Sequence, residues 1–369
     1  MDSMRLLELP PSRLIRLRGA ALRQAIAASE GRVLAAEVVV TAPPLVDGVT
    51  NAELAAAFGA DLILANVYDV DHPRVAGLPG WDDASSSLPA WALPSPQTPA
   101  PGSGERAPGG PGGPGAGRAA ASGGGNGGDA GTGQDPVHRH GAVPGAVAGA
   151  AGTPAGPLDA LARLSGRVVG VNLEPSDRVP PGRRATPENA RRAVEQGARW
   201  ILLTGNPHTG VTVEGIERAA AAIRAVLGPD EVLLAAGRMH GAGAWQGQEP
   251  FVDEAALRRL VAAGVDMIAL PAPATVPGVT VDRARAWVEA AHAAGALAMS
   301  TIGTSQEGAD EDTLRQIALM AKACGFDVHH IGDAGYHGVA LPENILAYGV
   351  AIRGRRHTYR RMALSAWRE

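Results

Sequence analysis

One cysteine, Cys324, stands among 369 residues, which excludes an intrachain disulfide and any zinc site built on several thiolates. One lysine, Lys322, leaves arginine to supply the remaining fixed positive charge and gives Schiff-base chemistry a single amine. Basic charge is not in excess: the formal net charge is −4 and the pI about 6.2, so nothing suggests a nucleic-acid partner. No apolar run approaches membrane-spanning length, and residues 1–11 lack the apolar stretch of a signal peptide. These absences describe a soluble cytoplasmic protein with neither a membrane nor a nucleic-acid partner.

A further absence is local. Residues 82–157 contain no Ile, Met, Phe or Tyr, while residues 102–156 hold twenty of the 49 glycines. Such a segment cannot bury enough apolar surface to offset its ordering entropy, so 84–156 reads as a disordered low-complexity insertion. His138-Arg139-His140 within it reads as solvated rather than as a metal tract. Setting it aside leaves one domain, residues 1–83 with 157–369, of about 296 residues.

What is there alternates regularly. An amphipathic helix is predicted over 12–30. Apolar segments at 33–40, 61–67, 167–173, 200–204, 232–236, 267–270, 297–302 and 328–331 read as strands, with helices between them and a long C-terminal helix after the last. Thr50-Asn51-Ala52-Glu53 has capping-box form, and Thr186-Pro187-Glu188 sets a cap residue before a proline at the first helical position. At Gly59, Gly197, Gly264, Gly295 and Gly325 a glycine ends a helix two or three residues before a strand, where a left-handed conformation costs it least. Eight apolar strands alternating with helices predict an α/β fold, a (β/α)8 TIM barrel with an N-terminal helix and the insertion after strand 2; a doubly wound open sheet is the competing topology.

In such a barrel the active site lies at the C-terminal ends of the strands, and the polar residues collect there. Strand 1 carries Glu37, strand 2 ends in Asn66 and Asp69, strand 3 in Asn172 and Glu174, and strand 4 in Thr204 and Asn206. Arg238 and His240 follow strand 5. Gly303, Thr304 and Ser305 follow strand 7, and His330, Gly332, Asp333 and Gly335 belong to strand 8 and its turn. Glu37 sits inside an apolar strand, so it needs a partner or a ligand; a salt bridge accounts for it as well as catalysis does. Asn172 and Glu174 share a parity that turns both toward the barrel interior, able to hold a hard cation or place a general base. Arg238 suits a phosphate or carboxylate, and His240 titrates near neutral pH. The turns holding Gly303, Thr304, Ser305, Gly332 and Gly335 occupy the usual phosphate position of a barrel. Glu174, His240 and Asp333 are the candidate catalytic residues; Asn66, Asn172, Asn206, Arg238 and His330 join those turns as candidate binding residues for a small anionic metabolite. Lys322 and Cys324 fall on the opposite, stability face. Arg353, Arg355, Arg356, His357, Arg360 and Arg361 read as a solvated face or a contact between copies in a homo-oligomer.

The segments Thr50–Asp61, Gly170-Val171-Asn172-Leu173-Glu174-Pro175, Leu203-Thr204-Gly205-Asn206-Pro207, Ile302–Gly308, Gly332–Tyr336 and Arg356–Arg361 resemble an uncharacterised bacterial barrel family, whose members are labelled phosphoenolpyruvate-phosphonomutase-like or haloacid-dehalogenase-like. The first label implies a lyase or isomerase of a small phosphorylated or 2-oxo acid, with Mg2+ or Mn2+ on acidic residues. The metal-binding aspartate pattern of that superfamily is not evident here, so Glu174 with Glu37 or Asp69 would have to substitute, and Lys322-Ala323-Cys324-Gly325 does not stand where it has its catalytic loop. The second label implies a phosphatase or hydrolase with Asp69 as nucleophile and Asp71 as acid/base, although Pro73 departs from its pattern. A non-catalytic metabolite-binding barrel is the third reading.

Overall fold

The apolar segments form eight strands: β1 (Val33–Val39), β2 (Leu62–Asn66), β3 (Val168–Leu173), β4 (Trp200–Leu203), β5 (Leu233–Ala236), β6 (Met267–Pro271), β7 (Leu297–Ile302) and β8 (Val328–Ile331). Each pairs in parallel with the next, and β8 closes on β1 with His329 beside Leu34. The fold is a (β/α)8 barrel, not an open sheet. The computed structural model describes residues 4–82, 153–205, 209–238, 253–333 and 337–364. They belong to one unit, Met1–Leu93 with Thr153–Glu369; a second, Pro94–Gly152, lies outside the described residues, as does most of the expected insertion.

Ten helices are described: α1 (Pro11–Leu14), α2 (Gly19–Ala27), α3 (Asn51–Ala57), α4 (Pro157–Ser165), α5 (Pro187–Glu195), α6 (Val213–Val226), α7 (Glu254–Ala262), α8 (Val281–Ala293), α9 (Glu311–Cys324) and α10 (Pro342–Ala363). Six start on a side-chain cap, Thr50, Thr186, Thr212, Asp253, Thr280 or Asp310, and Thr50 with Glu53 completes the capping box. None of these helices is long and apolar enough to cross a membrane.

Three boundaries differ from expectation. The helix expected over 12–30 is two, α1 and α2, because Gly19 takes φ 49° and its backbone packs against the Pro229 carbonyl. The C-terminal helix is broken at Gly354, whose φ of 74° no helix accepts. The chain also rejoins the barrel before residue 157: the Ala155 amide donates to Asp159 Oδ2 at 3.1 Å, and Gly156 lies against the Gln196 backbone, where a Cβ would come within 2.7 Å.

Alternate strand residues fill the barrel. Val33, Ala35, Leu62, Leu64, Val168, Trp200, Leu202, Leu233, Met267 and Met299 point inward and form one core with Leu6, Leu9, Leu14, Leu22 and Ile26, so the N-terminal segment stoppers the barrel's lower end. Trp200 is the largest fully buried side chain, and Gly170 gives it room: a Cβ there would lie 2.4 Å from the indole Cδ1.

The lower rim is tied by a repeated device. At three junctions a glycine ends the helix, and an aspartate two residues later reaches the neighbouring strand in both directions. The Asp61 amide donates to Leu34 O at 2.8 Å while its Oδ2 accepts the Leu34 amide at 2.9 Å. Asp266 does the same to Leu234, and Asp327 to Ala298. Each carboxylate also has a basic partner: Arg224 on Asp266 at 2.6 Å, His292 on Asp327 at 2.8 Å, and Arg353 with Arg361 on Asp61. Arg353 and Arg361 are buried, which corrects the reading of that arginine cluster as wholly a solvated or subunit-contact face. They join buried Arg167, whose guanidinium donates to the carbonyls of Ala56, Ala60, Gly166 and Arg361. Burial pulls the Arg167 pKa down to about 9, with Arg361 beside it adding to the drop.

Candidate active site

The inward positions change character toward the C-terminal ends of the strands. Above Leu64, Leu202 and Ala269 comes a polar tier: Glu37 of β1, Asn66 of β2, Asn172 of β3, Thr204 after β4, Arg238 after β5, Thr301 of β7 and His330 of β8. These groups line a cavity of about 100 Å³, closed on the β6–β7 side by Pro271, Thr275, Gly303 and Thr304. That volume is well below the roughly 300–1,000 Å³ of pockets for drug-sized ligands, so the cavity suits a small molecule.

Glu37 is the centre of the polar tier. Its Oε1 accepts from Asn66 Nδ2, and its Oε2 lies 2.9 Å from His330 Nε2. The carboxylate side chain is 17% exposed and the imidazole 5%, so Glu37 stands nearer the open cavity. The imidazole is close to the carboxylate but off the hydrogen-bond line, and neither of its ring nitrogens has an aligned partner. A buried histidine with both nitrogens unmatched is costly in a purely structural role.

The amides are oriented by the backbone. Asn66 Oδ1 accepts the Val67 amide at 2.8 Å, which leaves its Nδ2 for Glu37. Asn172 Nδ2 then donates to Asn66 Oδ1 at 3.3 Å, and Asn172 Oδ1 is left buried without a partner. Val67 holds φ 63°, a strained state for a β-branched residue. Ala274 and Ser305, two further non-glycine residues at positive φ, also lie in loops on this face.

The sequence candidates separate clearly. Glu37, Asn66, Asn172, Arg238, Gly303, Thr304 and His330 line the cavity. Glu174 does not: it lies beyond the end of β3, where its Oε1 takes Arg183 Nη2 at 2.5 Å and its carboxylate also meets Thr209. Desolvation raises the Glu174 pKa and Arg183 opposes that rise. Of the expected Glu37–Glu174 metal pair, only Glu37 lines the cavity. Among the described residues no group of three or more His, Cys, Asp or Glu is placed to hold a metal ion.

Asp333, Ser305 and Gly332 are also outside the lining. Gly332 is explained by packing, since a Cβ would lie 2.6 Å from the Ile302 carbonyl. His240, Asn206 and Gly335 lie outside the described residues. Asp69 accepts the amides of Asp71 and His72 and sits against Gly182, while Asp71 pairs with Arg192, so both are engaged in holding their own loop.

The site underrated from sequence is the Glu37–His330 contact. The signal was present, a carboxylate and a histidine at inward parity on the two strands that close the barrel. It needed β8 to pair with β1 before the two could be seen as neighbours.

The fold and this polar tier define a (β/α)8 barrel with a small cavity at the C-terminal ends of its strands, where polar side chains stand among apolar ones. The chain belongs to the family described as Domain of unknown function (DUF7916), whose profile matches residues 7–368. No curated protein matches it. Among solved structures it is similar to a "putative lyase/mutase from Burkholderia cenocepacia J2315" at 20% identity and a TM-score of 0.35; the match covers 48% of this chain and 59% of that one.

Proposed function

We propose that this barrel is an acid–base enzyme, a lyase or isomerase acting on a small anionic metabolite, with Glu37 as the group that exchanges a proton with substrate. The observation that carries this is the 2.9 Å approach of Glu37 Oε2 to His330 Nε2 at the cavity edge. The Asn66 amide holds the carboxylate through Oε1, and the imidazole stands close to Oε2 on its other side. Arg238, lining the same cavity, supplies the charge that an anionic substrate requires. Glu37 replaces Glu174 as the preferred base, because Glu174 is engaged by Arg183.

One carboxylate with substrate and water is enough for Mg2+, so the test includes it. The experiment is a thermal-shift screen of small 2-oxo and hydroxy acids and their phosphates, with and without Mg2+ or Mn2+. Binders are then followed by NMR in D2O for solvent deuterium entering the carbon next to the carboxylate or carbonyl. The expected result is exchange that Glu37→Gln abolishes while binding persists. Binding without exchange in the wild type would make the protein a non-catalytic metabolite-binding barrel.

A further inference from the structure

Three of the four threonines that line the cavity share a property that chain position did not reveal. Thr301 Oγ1 donates to the Leu270 carbonyl at 3.0 Å and Thr275 Oγ1 to the Ala272 carbonyl at 2.7 Å, while Thr304 Oγ1 stands 2.7 Å from the Thr275 carbonyl and also against Gln306 Oε1. A carbonyl oxygen only accepts, so in each pair the hydroxyl proton is already committed. What these side chains offer a ligand is lone pairs. Asn172 presents the same sign, because the Val67 amide fixes Asn66 and Asn66 fixes Asn172 with its oxygen left over. Glu37 is an acceptor as well. The cavity thus has acceptor side chains on its β1, β3, β6 and β7 sides, with the cation Arg238 after β5 and the donor-capable Asn66, Thr204 and His330 on β2, after β4 and on β8.

This arrangement is poor for a phosphate on the β7 side. Phosphate oxygens would face hydroxyl lone pairs, and turning a hydroxyl to donate would give up its bond to the carbonyl of Leu270, Ala272 or Thr275. The small volume also disfavours a bulky phosphorylated sugar. Ligand hydroxyls fit instead, since each can donate to Thr301, Thr304 or Asn172 and still accept from water.

We infer that the substrate is a small polyhydroxylated carboxylate, its hydroxyl groups donating to the acceptor wall of Thr301, Thr304 and Asn172 and its carboxylate directed to Arg238. The inference rests on the reading of this cavity as the active site, but it concerns recognition and can fail separately from the proton chemistry.

The test is isothermal titration of the full chain with matched probes: threonate and glycerate, their hydroxyl-free counterparts butyrate and propionate, and glycerol phosphate with inorganic phosphate. The expected order places threonate about tenfold or more above butyrate for each hydroxyl engaged, with the phosphates weaker than threonate. Thr301→Val keeps the side-chain shape and removes the acceptor, so it should collapse the threonate-to-butyrate ratio about tenfold while leaving butyrate unchanged. Thr304→Val, in the exposed loop, makes the same test where a folding defect in Thr301→Val would obscure it. Glycerol phosphate binding above glycerate, no hydroxy acid binding at millimolar concentration, or a ratio unmoved by both valine variants would each overturn the inference. Glu37→Gln distinguishes the two failures: it should remove deuterium exchange yet preserve the preference for threonate over phosphate.

Discussion

Glu37 on the first strand and His330 on the last meet across the seam that closes the barrel, Oε2 to Nε2 at 2.9 Å. Neither strand could present this pair alone. The contact ties the chemistry to closure of the sheet, and it gives the first prediction. Glu37→Gln should lower turnover by about 10²–10⁴-fold with little loss of stability, since the amide oxygen still accepts from Asn66. His330→Gln should lower it less, because the base itself remains. Steady-state rates on the substrate found by screening, beside urea unfolding curves, check both.

Glu174 should behave differently. Its partner Arg183 is as buried as it is, with both side chains 9% exposed. Arg183→Gln strands the carboxylate in a poorly solvated place, and the expected cost is about 3–5 kcal/mol of stability. Chemical denaturation measures it. A fall in rate with unchanged stability would return Glu174 to the catalytic machinery.

Asp61 is the one carboxylate among Arg167, Arg353 and Arg361, all four buried. Asp61→Asn preserves the shape and the acceptor for the Leu34 amide but leaves three guanidiniums uncompensated. The loss should again be about 3–5 kcal/mol, and it should couple to changes at Arg353, which is read by a double-mutant cycle.

Two histidines pull the pH dependence of stability in opposite directions. His329 is buried behind β8, its Nε2 3.2 Å from the Gly31 carbonyl and its Nδ1 near Ser300 and Tyr348. Desolvation drops its pKa to about 3. The unfolded chain takes up a proton near pH 6.5 that the native state refuses, so stability falls as pH drops from about 6.5 toward 3, by up to about 1.4 kcal/mol per pH unit. His292 has its pKa raised, chiefly by its hydrogen bond to Asp327; its contribution is fully present below the unfolded pKa and is lost as pH rises through the folded one. It is half exposed, so its effect is the smaller. Unfolding free energies at pH 7 and 5 should differ by about 2 kcal/mol less in His329→Gln than in the wild type.

Gly170→Ala puts a Cβ 2.4 Å from the Trp200 ring in the packed interior. The backbone there is ordinary extended strand, so the penalty is steric, about 1–3 kcal/mol. Trp200→Leu, itself destabilising, should cancel most of that penalty in the double mutant. Thermal and urea unfolding of the four-member cycle decide it.

The barrel was legible in the sequence because its signals are local. Apolar runs mark the strands, Thr or Asp caps and glycine stops mark most of the helices, and their alternation limits the topology. The polar tier was legible too, since Glu37, Asn66, Asn172 and Arg238 all stand at strand ends. What escaped was pairing across the ring. Glu174 shares a parity with Asn172, yet β3 ends at Leu173 and the following turn delivers Glu174 to Arg183. Arg353 and Arg361 looked solvated because their neighbours Arg355 and Arg356 are, and nothing local announces Asp61 nearly three hundred residues away. The direction of a hydroxyl proton is less visible still. It depends on which carbonyl happens to lie within reach.

The paired aspartate grips at Leu34, Leu234 and Ala298 have a consequence for how such a chain can change. They set strand register at the lower rim, at three separate seams, without involving any loop of the upper rim. Residues inserted between Asn66 and Pro157 therefore leave a strand, β2, whose register against β1 is already set by the Asp61 grip at its other end. The lower rim acts as a binding margin, and the upper one is left as editable text. A barrel organised this way can exchange its substrate-facing loops while its frame, and the meeting of its first and last strands, stays where it was.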